Sequence, residues 1–197
     1  IVEIGDLVLK KACRDMKQWI DSGLLSGRVA VNLSARQFNL PDLTQRIDAT
    51  LKETGLSPNN LELEITEGTV MNSPQHAIDV MHQLRDKGIH LALDDFGTGY
   101  SSLSYLRKFP LNTLKIDKAF VDDAHSEVGR AMIDTIVTIA RNLSLATVAE
   151  GVETIEQQDI MTSMSCDVLQ GYLYSKPLSA AEFTQFAELQ QPVLKKA

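Results

Sequence analysis

The sequence predicts an α/β domain on a parallel sheet, curled into an incomplete (β/α)8 barrel of about six strands. Three observations carry this. Six short runs rich in β-branched or apolar residues each close on a polar cluster: 29–34 (VAVNLS), 61–67 (LELEITE), 89–95 (IHLALDD), 113–117 (TLKID), 146–153 (ATVAEGVE) and 167–172 (DVLQGY). Helical patterns fill the intervals, so strands recur about 20–35 residues apart, the spacing of βα units. Every run also carries a polar residue near its C-terminal end. An open doubly wound sheet needs such residues only beside its switch point, whereas a barrel opens all its strand ends on one face. Six strands do not close an eight-strand barrel, and the chain begins with a helix, so the first one or two strands are expected to be missing.

Taken in order, Leu9, Cys13, Met16 and Ile20 share one side of an opening helix, and the run 29–34 follows. Leu43, Ile47 and Leu51 recur at i, i+4, i+8 and stop near Gly55. In 61–67, alternation puts Glu62 and Glu64 on one face and Leu61, Leu63 and Ile65 on the other. Ile78, Met81 and Leu84 form the next helix face, started by Ser73-Pro74 and stopped by Gly88. After 89–95, Ser101 or Ser102 is expected to cap a helix. Met132, Ile133, Ile136, Val137 and Ala140 make a further stripe. TIEQ (154–157) and SAAE (179–182) read as capping boxes for the last two helices.

Composition narrows the function. Nineteen Lys and Arg against 26 Asp and Glu give −7, which argues against broad binding along duplex nucleic acid. It leaves room for a small anionic ligand held through a metal. No apolar run approaches a membrane span of roughly 20 residues, and no signal peptide is seen. Cys13 and Cys166 lie in apolar patterns and read as structural thiols, so a reducing, cytoplasmic setting is expected. The first residue is Ile, which reads as a cut end.

Four constellations carry chemistry. Asn32, Glu64 and Asp94 each fall near a strand C-terminus and offer hard oxygen donors, suited to Mg²⁺, Mn²⁺ or Ca²⁺ rather than zinc. The histidines, His76, His82, His90 and His125, lack zinc-site spacing. Glu64 reads either as an inward carboxylate needing a cation or as a solvent-facing strand residue. Asp94-Asp95 could bridge two cations, as in phosphodiester hydrolysis, if both turn into the mouth. The DFG that follows is not accompanied by a kinase glycine loop or HRD, and there is no P-loop. Lys115 faces away from Leu114 and Ile116, where it would hold a phosphate oxygen, orient a water, or lie on the surface; Asp117 shares its face. Glu150 and Glu153 read as a general base, as outer partners of a metal, or as charges favouring a helix N-terminus. Gln170 adds an amide suited to a base edge or a ligand-bound water.

VNLSARQF, LELEITE, LALDDFGTGYSSLSYL, LKIDKAFV, VAEGVET and LQGYLYSKPL, in this order, resemble the EAL domain family, and the likeness covers residues 1–190, leaving 191–197 as a tail. The resemblance implies a modified (β/α)8 barrel with one antiparallel strand. It implies hydrolysis of cyclic di-GMP to pGpG with Mg²⁺ or Mn²⁺, two ions in the intact domain. Asn32, Glu64 and Asp94 would be ligands of the first metal; Asp95 and Asp117 would contact the second or its waters. Lys115 would position the attacking water, Glu150 would stand as base near the metals, and Glu67 would anchor the loop after Asp95. Gln170, and with them Arg36 and Gln37, would touch substrate. A homodimer through the loop after Asp95, and upstream sensory or GGDEF-type domains, are also implied. The family's Glu-Ala-Leu tripeptide, whose Glu is a metal ligand, occurs nowhere here, and the opening IVEIGDLVLKKAC resembles the family's segment after it. The expectation is therefore an enzyme whose metal site is weakened in this fragment. The alternative is a non-catalytic module that acts as a cyclic di-GMP receptor or binds protein.

Overall fold

The computed structural model describes residues 1–97 and 103–194, with side chains to residue 190. The expected cap at Ser101 or Ser102 lies outside the described residues. The helix α1 (Val2–Asp21) leads into β1 (Val29–Asn32), then α2 (Ala35–Phe38), α3 (Leu43–Thr54), a 3₁₀ turn and β2 (Leu61–Thr66). Next come α4 (Glu67–Met71), α5 (Pro74–Asp86), β3 (His90–Phe96), α6 (Leu103–Leu106) and β4 (Thr113–Ile116). The chain continues through α7 (Lys118–Asp122), α8 (Glu127–Asn142), β5 (Ala146–Ala149), α9 (Ile155–Ser163), β6 (Val168–Leu169) and α10 (Ala180–Leu194). The strands form one sheet in the order β1-β2-β3-β4-β5-β6, every pairing parallel, with β1 and β6 as its edges. This is the incomplete barrel that the strand count requires.

Leu61, Leu63, Ile65, Leu91, Leu93, Leu114 and Ile116 are buried to 2% or less, so the sheet's outer face carries the core beneath the helices. Each such side chain stabilises the fold by about 1.5–3 kcal/mol. Leu9, Cys13 and Met16 of α1 and Leu43, Ile47 and Leu51 of α3 add the facing layer. Burial pushes the Cys13 thiol up to about 11, and Cys166 is raised for the same reason; both are free thiols. Gly55 ends α3 in the left-handed conformation, and Thr154 and Gln157 form the expected capping box of α9. Ser179 and Glu182 exchange the two bonds of the other box.

Two expectations are corrected. Met132 is exposed, because at 100° per residue it sits about 80° from the centre of the arc formed by Gly129, Ile133, Ile136, Val137 and Ala140. The run 146–153 is strand only over Ala146–Ala149 and 167–172 only over Val168–Leu169, so Glu150–Glu153 and Gln170 belong to loops. Short helices at 35–38, 67–71 and 118–122 stand directly after β1, β2 and β4 and shape the mouth. The last helix runs to Leu194 and docks on α1 through Trp19, whose indole N–H donates to Thr184 Oγ1 at 2.9 Å. Among the described residues no helix is long and apolar enough to cross a membrane.

Gly68, the second residue of α4, has open space where a Cβ would stand. Gly68→Ala is expected to stabilise the fold by about 0.5–1 kcal/mol, read as a higher urea midpoint at unchanged slope.

Candidate active site

Strand periodicity builds the site. With Leu61, Leu63 and Ile65 under the helices, Glu62 and Glu64 face the inside of the curl. Asn32 is level with Glu64, whereas Asp94 is level with Thr66, one inward step further along β2, so an amide and two carboxylates stand at two successive levels near the ends of three adjacent strands. Lys115 points inward between Leu114 and Ile116, and Glu150 leaves the end of β5 beside it.

These groups close on one cation. Lys115 is 3% exposed, and its Nζ lies 2.8 Å from Glu64, 3.1 Å from Asp94 and 2.7 Å from Glu150. It therefore reaches β2 across β3, which a flat sheet with about 4.8 Å between strands would make a long stretch; the curl shortens it. Three carboxylates against one ammonium leave two negative charges in excess. Burial raises Glu64 and Glu150, with Lys115 pulling each back down and Asp94 pushing it up. Burial alone would lower Lys115, but its hydrogen bonds to Glu150 and Glu64 outweigh that and keep the ammonium charged.

Asp94 and Asp95 both reach the mouth through a β-bulge. Between Leu93 and Phe96 the register of β3 against β4 slips by one residue, and Asp95 takes φ +57°. Strict alternation would turn Asp95 into the apolar layer; the extra residue lets Phe96 return to that layer instead, where it is buried. The amide of Asp95 donates to Asp94 Oδ1 at 3.1 Å. The Asp95 carboxyl is raised by burial, by the charges of Asp94 and Asp117, and by a hydrogen bond with Asp117. Asp117 also caps α7, accepting from the Ala119 amide at 2.8 Å. Glu67, buried at the start of α4, accepts from the Gly97 amide at 3.1 Å and so ties the chain just after the bulge to β2.

Other expected site residues stand elsewhere. Gln37 is 4% exposed, and its carboxamide oxygen accepts from both the amide and the hydroxyl of Ser34; the group completes the cap of α2 and packs on Gly5 of α1. Gln37 thus completes the cap of α2, and its neighbour Arg36 is exposed. Glu153 pairs with Lys118 Nζ at 2.8 Å on the surface, away from Lys115. The Gln170 side chain is exposed and lines a groove of about 880 Å³ between the edge strands, walled by Trp19, Tyr172 and Phe183. Its backbone does reach the site's loop, accepting from the Val152 amide at 3.0 Å. The groove is largely apolar, and none of Glu64, Asp94, Lys115 and Glu150 lines it. Sequence reasoning missed that Lys118 and Gln157 brace the Glu150 loop; TIEQ pointed to Gln157, but only as a helix cap.

Among the described residues no three of His, Cys, Asp and Glu stand in a metal-holding arrangement; the acids close on the ammonium. The donor chemistry nonetheless fits a hard divalent cation: all donors are oxygen, and the buried cluster carries surplus negative charge.

The family model for the EAL domain matches residues 1–177. The chain is 43% identical over 183 residues to the bifunctional diguanylate cyclase/cyclic di-GMP phosphodiesterase MucR of Pseudomonas aeruginosa, covering 92% of this chain and 27% of that protein. The chain thus spans about a quarter of the length of the curated relatives it matches. Among solved structures, the PaMucR phosphodiesterase in complex with c-di-GMP superposes at TM-score 0.89 with 42% identity, over 92% of this chain and 74% of that one. A manganese/cy-diGMP complex of Klebsiella pneumoniae BlrP1 superposes at 0.76 with 32% identity, over 86% and 44%.

Proposed function

Because the chain belongs to the EAL domain family, we propose that it supplies the catalytic domain of a phosphodiesterase that opens cyclic di-GMP to linear pGpG. The observation that carries this reading is the convergence of Glu64, Asp94 and Glu150 on the buried Lys115 at the strand C-termini. Asn32, Glu64 and Asp94 would hold a first Mg²⁺ or Mn²⁺, with Asp95 and Asp117 facing a second. Bound there, such ions would neutralise the surplus charge and act as Lewis acids on the phosphodiester. Hydrolysis joins a water oxygen to phosphorus and breaks the bond to the 3′-oxygen, which leaves with a proton. Lys115 holds that water or a phosphate oxygen in line. Glu150, raised by burial, takes a proton from the water more readily than an exposed carboxylate would. Glu67 would keep Asp94 and Asp95 in place through Gly97, and Arg36 and Gln170, both exposed, would meet the nucleotide. For the parent protein we propose cytoplasmic action, a homodimer, and sensory or GGDEF-type segments.

The 197 residues contain no Glu-Ala-Leu tripeptide, so this stretch alone offers one carboxylate ligand fewer than the family's site and is expected to turn over slowly. The test is chromatographic assay of cyclic di-GMP with Mg²⁺ or Mn²⁺, with Asp94→Asn beside it. pGpG from the wild type and none from the variant supports the reading. Tight binding of cyclic di-GMP without turnover, in a chain that carries the tripeptide, would make the domain a receptor.

A further inference from the structure

We infer that Gln157 is a positioning residue that sets where Glu150 meets Lys115, acting through Asp122; the inference deepens the catalytic reading above and rests on it for Glu150's role. Gln157 is 6% exposed in the first turn of α9. Its carboxamide oxygen accepts from the amides of Glu153 at 2.8 Å and Thr154 at 3.1 Å. A capping box needs no more than that oxygen and the Thr154 hydroxyl. The other half of the group does something the box does not require: Nε2 donates to Asp122 Oδ1 at 3.2 Å, at the end of α7.

That bond joins the two segments that carry the reacting pair. Lys115 runs through Asp117 into α7, and Glu150 opens the loop that ends at Thr154. The loop is held along its length. The Glu150 amide donates to Ile116 O at 3.1 Å, and the Val152 amide to Gln170 O at 3.0 Å. Gly151 has φ +69°, and a Cβ there would lie 2.4 Å from Lys118 Cγ, so the Lys118 stem lies flat on the turn. Lys118 Nζ then bonds Glu153 at 2.8 Å and Asp122 at 3.3 Å. Gln157 is the buried member of this brace, which meets α7 at its two ends, Lys118 and Asp122. The Lys115–Glu150 contact of 2.7 Å is set by how these two segments sit against each other.

Capping and positioning are separable by one atom. Gln157→Glu keeps the oxygen that accepts both amides, and an acid at this helix position is itself favourable. It replaces the donor facing Asp122 with an oxygen, so two carboxylates oppose each other. Asp122→Asn in that background turns the bond round, the new amide donating to the new carboxylate, while Lys118 keeps Glu153. Asp122→Asn alone retains the bond by presenting its carbonyl oxygen to Gln157.

The experiment measures kcat and KM for cyclic di-GMP in the parent protein. In parallel it measures the Lys115 Nζ–Glu150 separation in crystals of the metal-free domain. For Gln157→Glu we expect kcat about tenfold lower at a KM within twofold, a Lys115–Glu150 separation beyond hydrogen-bond range, and a lowered melting temperature that the double variant restores. The double variant should recover most of kcat and the contact near 2.7 Å. If Gln157→Glu turns over like wild type with Glu150 unmoved, or if Asp122→Asn fails to restore either quantity, the inference is overturned. If no variant and no wild type hydrolyses cyclic di-GMP but the crystals show loss and recovery of the contact, the positioning role stands and the catalytic reading falls.

Discussion

Lys115→Met is expected to cost about 3–5 kcal/mol of stability at neutral pH and to abolish turnover, the largest effect of any single substitution in the site. The replaced ammonium is buried and is the shared partner of Glu64, Asp94 and Glu150. Met matches the length of the stem but leaves three carboxylates crowded together without their cation. Glu64 and Glu150 are already raised from 4.5 by burial, with Lys115 the main group pulling them down. Without it both rise further. A carboxyl whose folded pKa lies above its unfolded value costs nothing below the unfolded value and costs progressively more as pH rises to the folded one. The penalty in Lys115→Met should therefore be small near pH 4.5 and grow toward neutrality, where wild type changes less. Urea denaturation across pH 4.5–7.5 measures it. Two further results are expected: Glu64→Gln in the same background recovers part of the loss, and millimolar Mn²⁺ raises the midpoint of the variant by replacing the missing positive charge. A variant as stable as wild type at pH 7, with no slope against pH, would mean that Lys115 does not hold these acids.

Gly171→Ala is expected to lose about 3 kcal/mol and more activity than that loss explains. The φ of Gly171 is ordinary, so contact alone demands glycine. A Cβ would stand 2.0 Å from Val152 O, 2.3 Å from Val152 N and 2.6 Å from Val152 C. These are backbone atoms, which cannot swing aside as a side chain would. The Val152 amide bonds Gln170 O and its carbonyl accepts from Leu173 N, both at 3.0 Å. Relieving the clash breaks this pair of bonds and moves the loop that begins at Glu150. Turnover measured well below the unfolding transition should fall at least tenfold; the contrasting Gly68→Ala gains stability because its Cβ meets nothing. Unchanged stability in Gly171→Ala would show that the loop can shift freely, and the bracing described for Glu150 would be wrong.

Much of this was legible in the chain. The alternation in 61–67 placed Glu64 opposite the core, and the structure buries Leu61, Leu63 and Ile65 on the other side. Gly55, Ser73-Pro74, Thr154 and Ser179 marked helix ends because caps and left-handed stops are settled by a few neighbouring residues. The motifs named the acids, since strand C-termini in a parallel barrel share one face. What the chain could not disclose is which of these groups touch. Asp94 and Asp95 alternate in sequence, and only the slip of β3 against β4 sends both to the mouth. Arg36 and Gln37 are adjacent in the chain, yet the α2 cap takes the Gln37 carboxamide oxygen and leaves Arg36 exposed. Glu150 and Glu153 looked alike as bases until one met Lys115 and the other Lys118. Periodicity and capping are properties of a few consecutive residues. Contacts between Lys115, Glu64 and Glu150 depend on register and curvature across four strands, which no local window contains; sequence alone determined the class of barrel and its polar end, and tertiary structure alone decided that its acids close on one lysine.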